Sequence, residues 1–282
     1  MTVEWLICCE PVHIGGADSS IRGNNNPIYR LSDRTPAIPG SSVRGALREH
    51  AENQEDYKDL VNNWFGKKLG KNEEISDDNV SRGGIALSWA WPVWWPVHVL
   101  GYGNWWISCL GWLNRFQQLS QQSVLNLNDR NLIYITEQQL QGKDVFLRWL
   151  KLKNVQYDSE ITNKITKNLP RSQNIPSIDI PSDRLIVVPD TSINLFVDMG
   201  LVRQPRVSIK DEPDEKGNLI DNLFAVEGLP PGAVFFVTWT TRGKLEKLEK
   251  WEKFLHDEHY LGGLWSVGYG RVVIQPFQEE NK

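Results

Sequence analysis

An α+β architecture is predicted for this chain, and three patterns predict it. Short β-prone runs, at residues 3–12, 185–188 and 233–240, alternate with stretches whose apolar residues recur at helical spacing. Two extended runs late in the chain, 203–210 and 218–226, flank the charged turn Asp211-Glu-Pro-Asp-Glu-Lys-Gly217 and read as one long antiparallel hairpin. The 282 residues, 40% hydrophobic and 23% charged, are enough for one large domain or two small ones, with a sizeable core either way.

The elements follow in order. Residues 3–12 are rich in aliphatic side chains and read as a buried first strand. The loop over 15–37 is long, polar and punctuated by Gly23, Asn24, Asn25, Asn26 and Pro27, and loops of that length are usually functional or disordered. Pro39 and Gly40 then break the chain before a helix over 41–51, and a second helix over 55–65 carries Tyr57, Leu60, Val61 and Trp64 as an apolar stripe. A lysine-, glutamate- and asparagine-rich stretch from 66 to 78 marks a surface loop at the start of a tryptophan-rich segment, 66–116. Seven of the thirteen tryptophans, at 89, 91, 94, 95, 105, 106 and 112, fall in that segment. They read either as a base-stacking platform or as core and subunit interface, and their density among Val and Leu favours the core. Residues 105–116, with Ile107, Leu110 and Leu113, read as an amphipathic helix. The polar stretch 160–182, with Pro170, Pro176 and Pro181, is the expected mobile connection. A short helix is expected over 191–199, and a longer one over 244–260 with Leu245, Leu248, Trp251 and Leu255 inward.

Composition narrows the function. No apolar run is long enough to cross a bilayer, because Pro92, Pro96, His98, Gly101, Gly103 and Asn104 interrupt the aromatic stretch. The first residues carry an acid where a secretory signal carries bases, so export is not expected. Three cysteines, two of them adjacent, suggest neither a disulfide framework nor a zinc site, and a reducing cytoplasm is the natural compartment. A net charge of −4 argues against promiscuous nucleic-acid binding, so any RNA must lie in a local groove. Arg22, Arg30, Arg34, Arg44 and Arg48 supply such a gathering, with Asp18 and Asp33 as the only acids among them; scattered surface charge is the alternative.

Two motifs carry chemistry. In Ile38-Pro-Gly-Ser-Ser-Val-Arg-Gly-Ala-Leu-Arg48 a turn feeds straight into a helix, Ser41 or Ser42 is placed to cap it, and Arg44 and Arg48 share one face four residues apart. That arrangement is an anion seat for neighbouring phosphates, or an ordinary helix start. In Gly262-Gly-Leu-Trp-Ser-Val-Gly-Tyr-Gly-Arg271 the glycine spacing matches neither a P-loop nor a dinucleotide fingerprint. It reads as a tight turn before a last strand, with Gly268 and Gly270 letting backbone approach RNA and Arg271 adding charge.

These motifs resemble the RAMP superfamily, the RNA-binding subunits of CRISPR effector complexes. Pro39-Gly-Ser-Ser-Val-Arg-Gly45 is similar to the family's glycine-serine turn, Pro11-Val-His-Ile-Gly-Gly16 to its first-strand exit with His13 and Gly15 in place, and 262–271 to its glycine-rich loop. The segments 84–97, 103–116 and 184–190 resemble one branch, the repeated backbone subunit of the type III-B (Cmr) complex. The resemblance implies a single domain over 1–282 with a ferredoxin-like, RNA-recognition-motif-like core, finger-like loops and a thumb hairpin over 203–227 that bears Arg206, Lys210 and Lys216. It implies RNA contacts at His13, Gly15, Arg30, Ser41, Ser42, Arg44, Arg48, Gly268, Gly270 and Arg271. Its implied partners are guide RNA, complementary target RNA, further copies of the chain and other type III subunits, with no membrane. In the family an aspartate before a Pro-aliphatic-x-Arg run supports metal-assisted cleavage; here the run is Pro27-Ile-Tyr-Arg30 and the matching position is Asn25. An amide neither accepts a proton at neutral pH nor serves a hard cation well, so cleavage is expected to be lost or strongly impaired. Asp18 is a substitute carboxylate only if the loop brings it there. No firmly bound cofactor is expected, and Mg²⁺ or Mn²⁺ only if cleavage is active. Three functions follow: an RNA-holding backbone subunit, an active endoribonuclease of the same family, or a guide-free interaction domain that uses the tryptophan cluster.

Overall fold

The computed structural model describes residues 1–282 except 16–24, 68–81, 128, 168, 171–178, 211, 213–218, 244, 246 and 278–282. The first half contains β1 (Thr2–Cys8), β2 (Asn25–Asn26), α1 (Gly40–Glu52), α2 (Val61–Phe65), β3 (Ile85–Leu87), β4 (Trp91–Val99), β5 (Gly103–Cys109), α3 (Leu110–Leu119) and β6 (Tyr134–Ile135). The second contains β7 (Val145–Phe146), β8 (Lys151–Leu152), α4 (Ser159–Thr166), β9 (Leu185–Val188), α5 (Ile193–Gly200), β10 (Val202–Ile209) and β11 (Ile220–Gly228). It closes with β12 (Val234–Thr241), α6 (Leu248–Leu255), β13 (Glu258–Tyr260) and β14 (Arg271–Pro276).

At the centre β14, β1, β12 and β3 lie side by side, each antiparallel to its neighbour. In chain order these are the fourth, first, third and second strands of a β-α-β-β-α-β unit, the ferredoxin-like arrangement, with α1 and α6 as its helices. β4, β5, β9 and β6 extend the sheet beyond β12. β1 is buried on both faces and its side chains alternate as the pleat requires. Leu6 and Cys8 join a core with Val43, Leu47 and Ala51 of α1 and Trp251, Phe254 and Leu255 of α6. Val3, Trp5 and Ile7 face the other way, against Leu113 and Phe116 of α3 and Ile161 and Ile165 of α4. The sheet therefore separates two helical layers.

Trp94, Trp95, Trp105, Trp106 and Trp112 are buried, and only Trp89 and Trp91 of the cluster stay half-buried. The core reading of that cluster holds. A bulge organises it: Val234 and Phe235, adjacent on β12, face Trp94 and Pro92, two apart on β4. The extra residue, Val93, shares a core with Trp94, and Pro92 sits where a strand tolerates a missing N–H.

Four expectations need correction. Residues 105–109 are strand, not helix: Trp105, Ile107 and Cys109 go to one core and Trp106 to the other, and the helix begins at Leu110. An apolar run this continuous carries no usable period. Residues 159–166 are helical, because Asp158 caps the backbone N–H of Ile161 at 2.9 Å and Ile161 and Ile165 reach the core. The expected 244–260 helix is confined to 248–255, with Leu248 37% exposed and Phe254 taking the inward place, and residues 258–260 pair with β14 instead. Neither Ser41 nor Ser42 caps α1, since the carbonyl of Pro39 accepts the N–H groups of Ser42 and Val43. Among the described residues no helix is long and apolar enough to cross a membrane.

A histidine pair joins α1 to the sheet edge. His259 is fully buried and donates from Nε2 to the carbonyl of Phe254 at 3.0 Å, so its Nδ1 is the acceptor facing His50 Nδ1 at 3.0 Å. Burial, then the neighbouring His50, lowers the His259 pKa to about 4, and burial lowers that of His50. A base whose folded pKa is depressed stabilises the fold in full above its ordinary value, about 6.5. That stability is lost as pH falls from there towards 4. Urea denaturation between pH 4 and 7.5 is expected to show this loss, and a His259→Leu variant a flatter profile over the same range.

Candidate RNA interface

The hairpin of β10 and β11 leaves the body at Gly228 and carries a third strand. β2 runs parallel to β11, with Asn25 opposite Ala225 and Asn26 opposite Val226, so the loop after β1 is laid along the hairpin base. Side chains fix it there. Arg30 reaches Asp198 of α5 at 2.6 Å and Glu227 of β11 at 3.5 Å; Arg34 takes the second oxygen of Asp198 at 2.6 Å. Arg203 of β10 meets Glu227 at 3.3 Å and donates to the backbone carbonyl of Asp198 at 2.8 Å. Glu227 also accepts the N–H of Ile28 at 3.4 Å, and its backbone carbonyl lies 2.7 Å from His13 Nδ1. One residue, through its carboxylate and its backbone carbonyl, thus ties the first-strand exit, the loop and the hairpin together.

The glycine-rich loop packs on the same base. Gly263 N–H donates to the carbonyl of His13 and Gly270 N–H to that of Pro11, while Gly268 N–H bonds to Trp265 within the turn. Gly268 and Gly270 have φ of 87° and 99°, which glycine alone adopts readily. Their N–H groups are spent inside the protein. Between them Tyr269 is buried; its hydroxyl donates to Gln204 of β10 at 3.0 Å, and β11 has Gly228 where a Cβ would press on the ring.

The predicted RNA-binding arginines divide sharply. Arg48 is buried and donates to the carbonyl of Gly66 and to Glu52, at 2.9 and 2.8 Å, and Arg44 donates to the carbonyl of Phe65. Both guanidiniums close the carboxy-terminal end of α2, where exposed carbonyls favour cations, so each spends at least one donor inside the protein. The turn's glycine has a local reason as well: a Cβ on Gly40 would stand 2.9 Å from the carbonyl of Ser88. Ser41 is exposed and Ser42 half-buried at that helix start. Arg271 grips Glu258 through two nitrogens, at 3.0 and 2.5 Å, and holds that carboxyl below the usual carboxylate range. Gly15 is exposed, paired across to Ile28.

Arg206 is different. Its Nε is buried without an acceptor among the described residues, and its guanidinium lies 5.9 Å from the centre of the Tyr269 ring. Lys210 follows at the end of β10. Asp18 and Lys216 lie outside the described residues, and for Asn25 only the backbone placement is described. Asp198, Glu227 and Arg203 escaped sequence reasoning, because their partners lie far away in the chain and no local spacing marks them.

A family model, the RAMP superfamily, matches residues 5–273. The chain belongs to the RAMP superfamily. No curated protein matches its sequence. Among solved structures, this RAMP chain is similar to one in the type III-B Cmr-beta complex bound to cognate target RNA, with 18% identity, TM-score 0.72 and coverage of 97% of this chain and 96% of that one. It is similar to oligomeric Cmr4 from Pyrococcus furiosus over all of both chains, with 18% identity and TM-score 0.69. The apo Cmr-beta complex contains a chain with 15% identity, TM-score 0.71 and coverage of 99% and 97%. At such identities the likeness establishes the shared fold.

Among the described residues near the loop, the carboxylates of Asp198 and Glu227 are paired with the guanidiniums of Arg30, Arg34 and Arg203, which sets them against serving as ligands of a divalent cation. Among the described residues no group of three His, Cys, Asp or Glu side chains converges elsewhere. The glycine-rich loop itself yields a stability prediction. Gly262 has φ of 77°, and a Cβ there would fall 2.1 Å from the carbonyl of His13, so Gly262→Ala is expected to cost about 2–4 kcal/mol in chemical denaturation.

Proposed function

We propose that this RAMP protein is a backbone subunit of a type III CRISPR effector complex, acting in the cytoplasm in antiviral defence. It holds guide RNA and complementary target RNA beside further copies of itself and other subunits. Family membership and end-to-end likeness to chains of Cmr complexes, one described as bound to cognate target RNA, support this reading. The observation that carries it is Arg206, a half-buried cation whose Nε has no acceptor among the described residues, at the junction of hairpin and glycine-rich loop. A charge withdrawn from water needs a counter-ion, and a phosphodiester supplies one. Base pairing then reads sequence, while the protein reads backbone shape.

Arg206→Ala is expected to weaken guide-RNA binding and reduce the salt slope of log affinity by about one unit, because one phosphate contact releases about one counterion. An unchanged slope across a salt series would remove Arg206 from the interface. The same reading makes the chain a holder that does not cut. In the assembled complex with Mg²⁺ or Mn²⁺, a complementary target is expected to stay intact on gels; cuts at regular intervals, abolished by Asp18→Ala, would restore the endoribonuclease.

A further inference from the structure

A cavity of about 300 Å³ opens between the loop residues 30–34, α5, the hairpin base and the turn joining β7 to β8. One wall is apolar, made by Trp149, Leu150, Leu195 and Met199. Trp149 is 68% exposed and Leu195 57%, so two large apolar side chains stand in water at its mouth. The guanidinium of Arg148 lies 4.5 Å over the Trp149 ring, and Lys151 in the same hairpin lies 5.3 Å over Phe146. The opposite wall is the ion-pair network, where Arg30, Arg34 and Arg203 outnumber Asp198 and Glu227. Among the described residues Arg34 engages one nitrogen of its guanidinium, its side chain is 54% exposed, and its backbone holds φ of 66°. A guanidinium has five N–H donors, so Arg34 has several to spare, and a non-glycine residue in the left-handed region is strain worth a functional reason.

We propose that this cavity is a seat for one nucleotide of single-stranded RNA, with the base stacked on Trp149 and the phosphate taken by Arg34. The proposal rests on the RNA-binding function above and adds a contact separate from Arg206. Exposed aromatic rings interleaved with cations are how single strands are held, and a polar wall offering both guanidinium N–H and carboxylate oxygen suits the edge of a base. A purely aliphatic guest would leave that wall unpaired, and a hollow of this size takes one base and not a base pair.

The test uses the full chain, fluorescently labelled single-stranded RNA and anisotropy titration. Trp149→Ala is expected to lower affinity about 5- to 100-fold, the usual range for one base stack, while Trp149→Phe retains most of it. Leu195→Trp fills the cavity and should lower affinity similarly, and Arg34→Ala should reduce the salt slope by about one. Melting temperature is expected to stay unchanged for Trp149→Ala, whose ring lies mostly in water. Site-specific photocrosslinking of 4-thiouridine RNA to the peptide that contains Trp149 should give the same answer in the unaltered chain. Wild-type affinity in both Trp149→Ala and Leu195→Trp overturns the proposal. So does a change in oligomer mass with RNA affinity intact, since the rim would then be a protein contact. Failure of the unaltered chain to bind any RNA would overturn the function itself and not this seat alone.

Discussion

Glu227 is the point on which the interface depends. Its carboxylate receives Arg30, Arg203 and the N–H of Ile28, and its carbonyl faces His13, so three other segments of the chain meet at one residue. A two-stranded ribbon is marginally stable alone. Here the ribbon gains a third strand, β2, from the loop it positions, and the loop gains a rigid edge from the ribbon. Exposed ion pairs contribute little individually, but here Arg30 and Glu227 are mostly withdrawn from water and the pairs share partners, which favours one geometry for the whole junction.

The arginines show how an acidic protein can still serve RNA. Most of those that sequence marks as phosphate contacts are consumed internally: Arg48 by a helix end, Arg271 by Glu258, Arg30 by two carboxylates. Neutralised cations give shape and little field. By contrast, Arg206 keeps its Nε without an acceptor among the described residues, and the Arg34 side chain stays 54% exposed.

The central fold was legible because its signals are local. Gly40–Glu52, Leu185–Val188 and the hairpin arms announce themselves by turn residues and periodicity, and the family resemblance fell on motifs that sit at strand exits. The failures share a cause. Where a segment is apolar on every side, as at Trp105–Cys109, period says nothing, and where a charged side chain finds its partner across the fold, as Arg30 does in Asp198, spacing says nothing. Sequence could not tell Arg206 from Arg48 or Arg271, since the difference lies entirely in what tertiary contact supplies. Trp149 carried no signal at all, because a single aromatic in a short turn looks like any other.

The placement of β1 has a kinetic consequence. Leu6, emerging among the first residues, is registered against Phe235 on one side and Ile274 on the other, so the central strand waits for partners near the far end of the chain. Such non-local pairing folds slowly, and an aliphatic strand without neighbours is prone to associate with other chains while it waits. During synthesis the β4–β5 hairpin and the β5–β9 pairing can form first, leaving a slot that only β1, β12 and β14 together fill. Closure of the sheet therefore comes late, after the last strand has been translated.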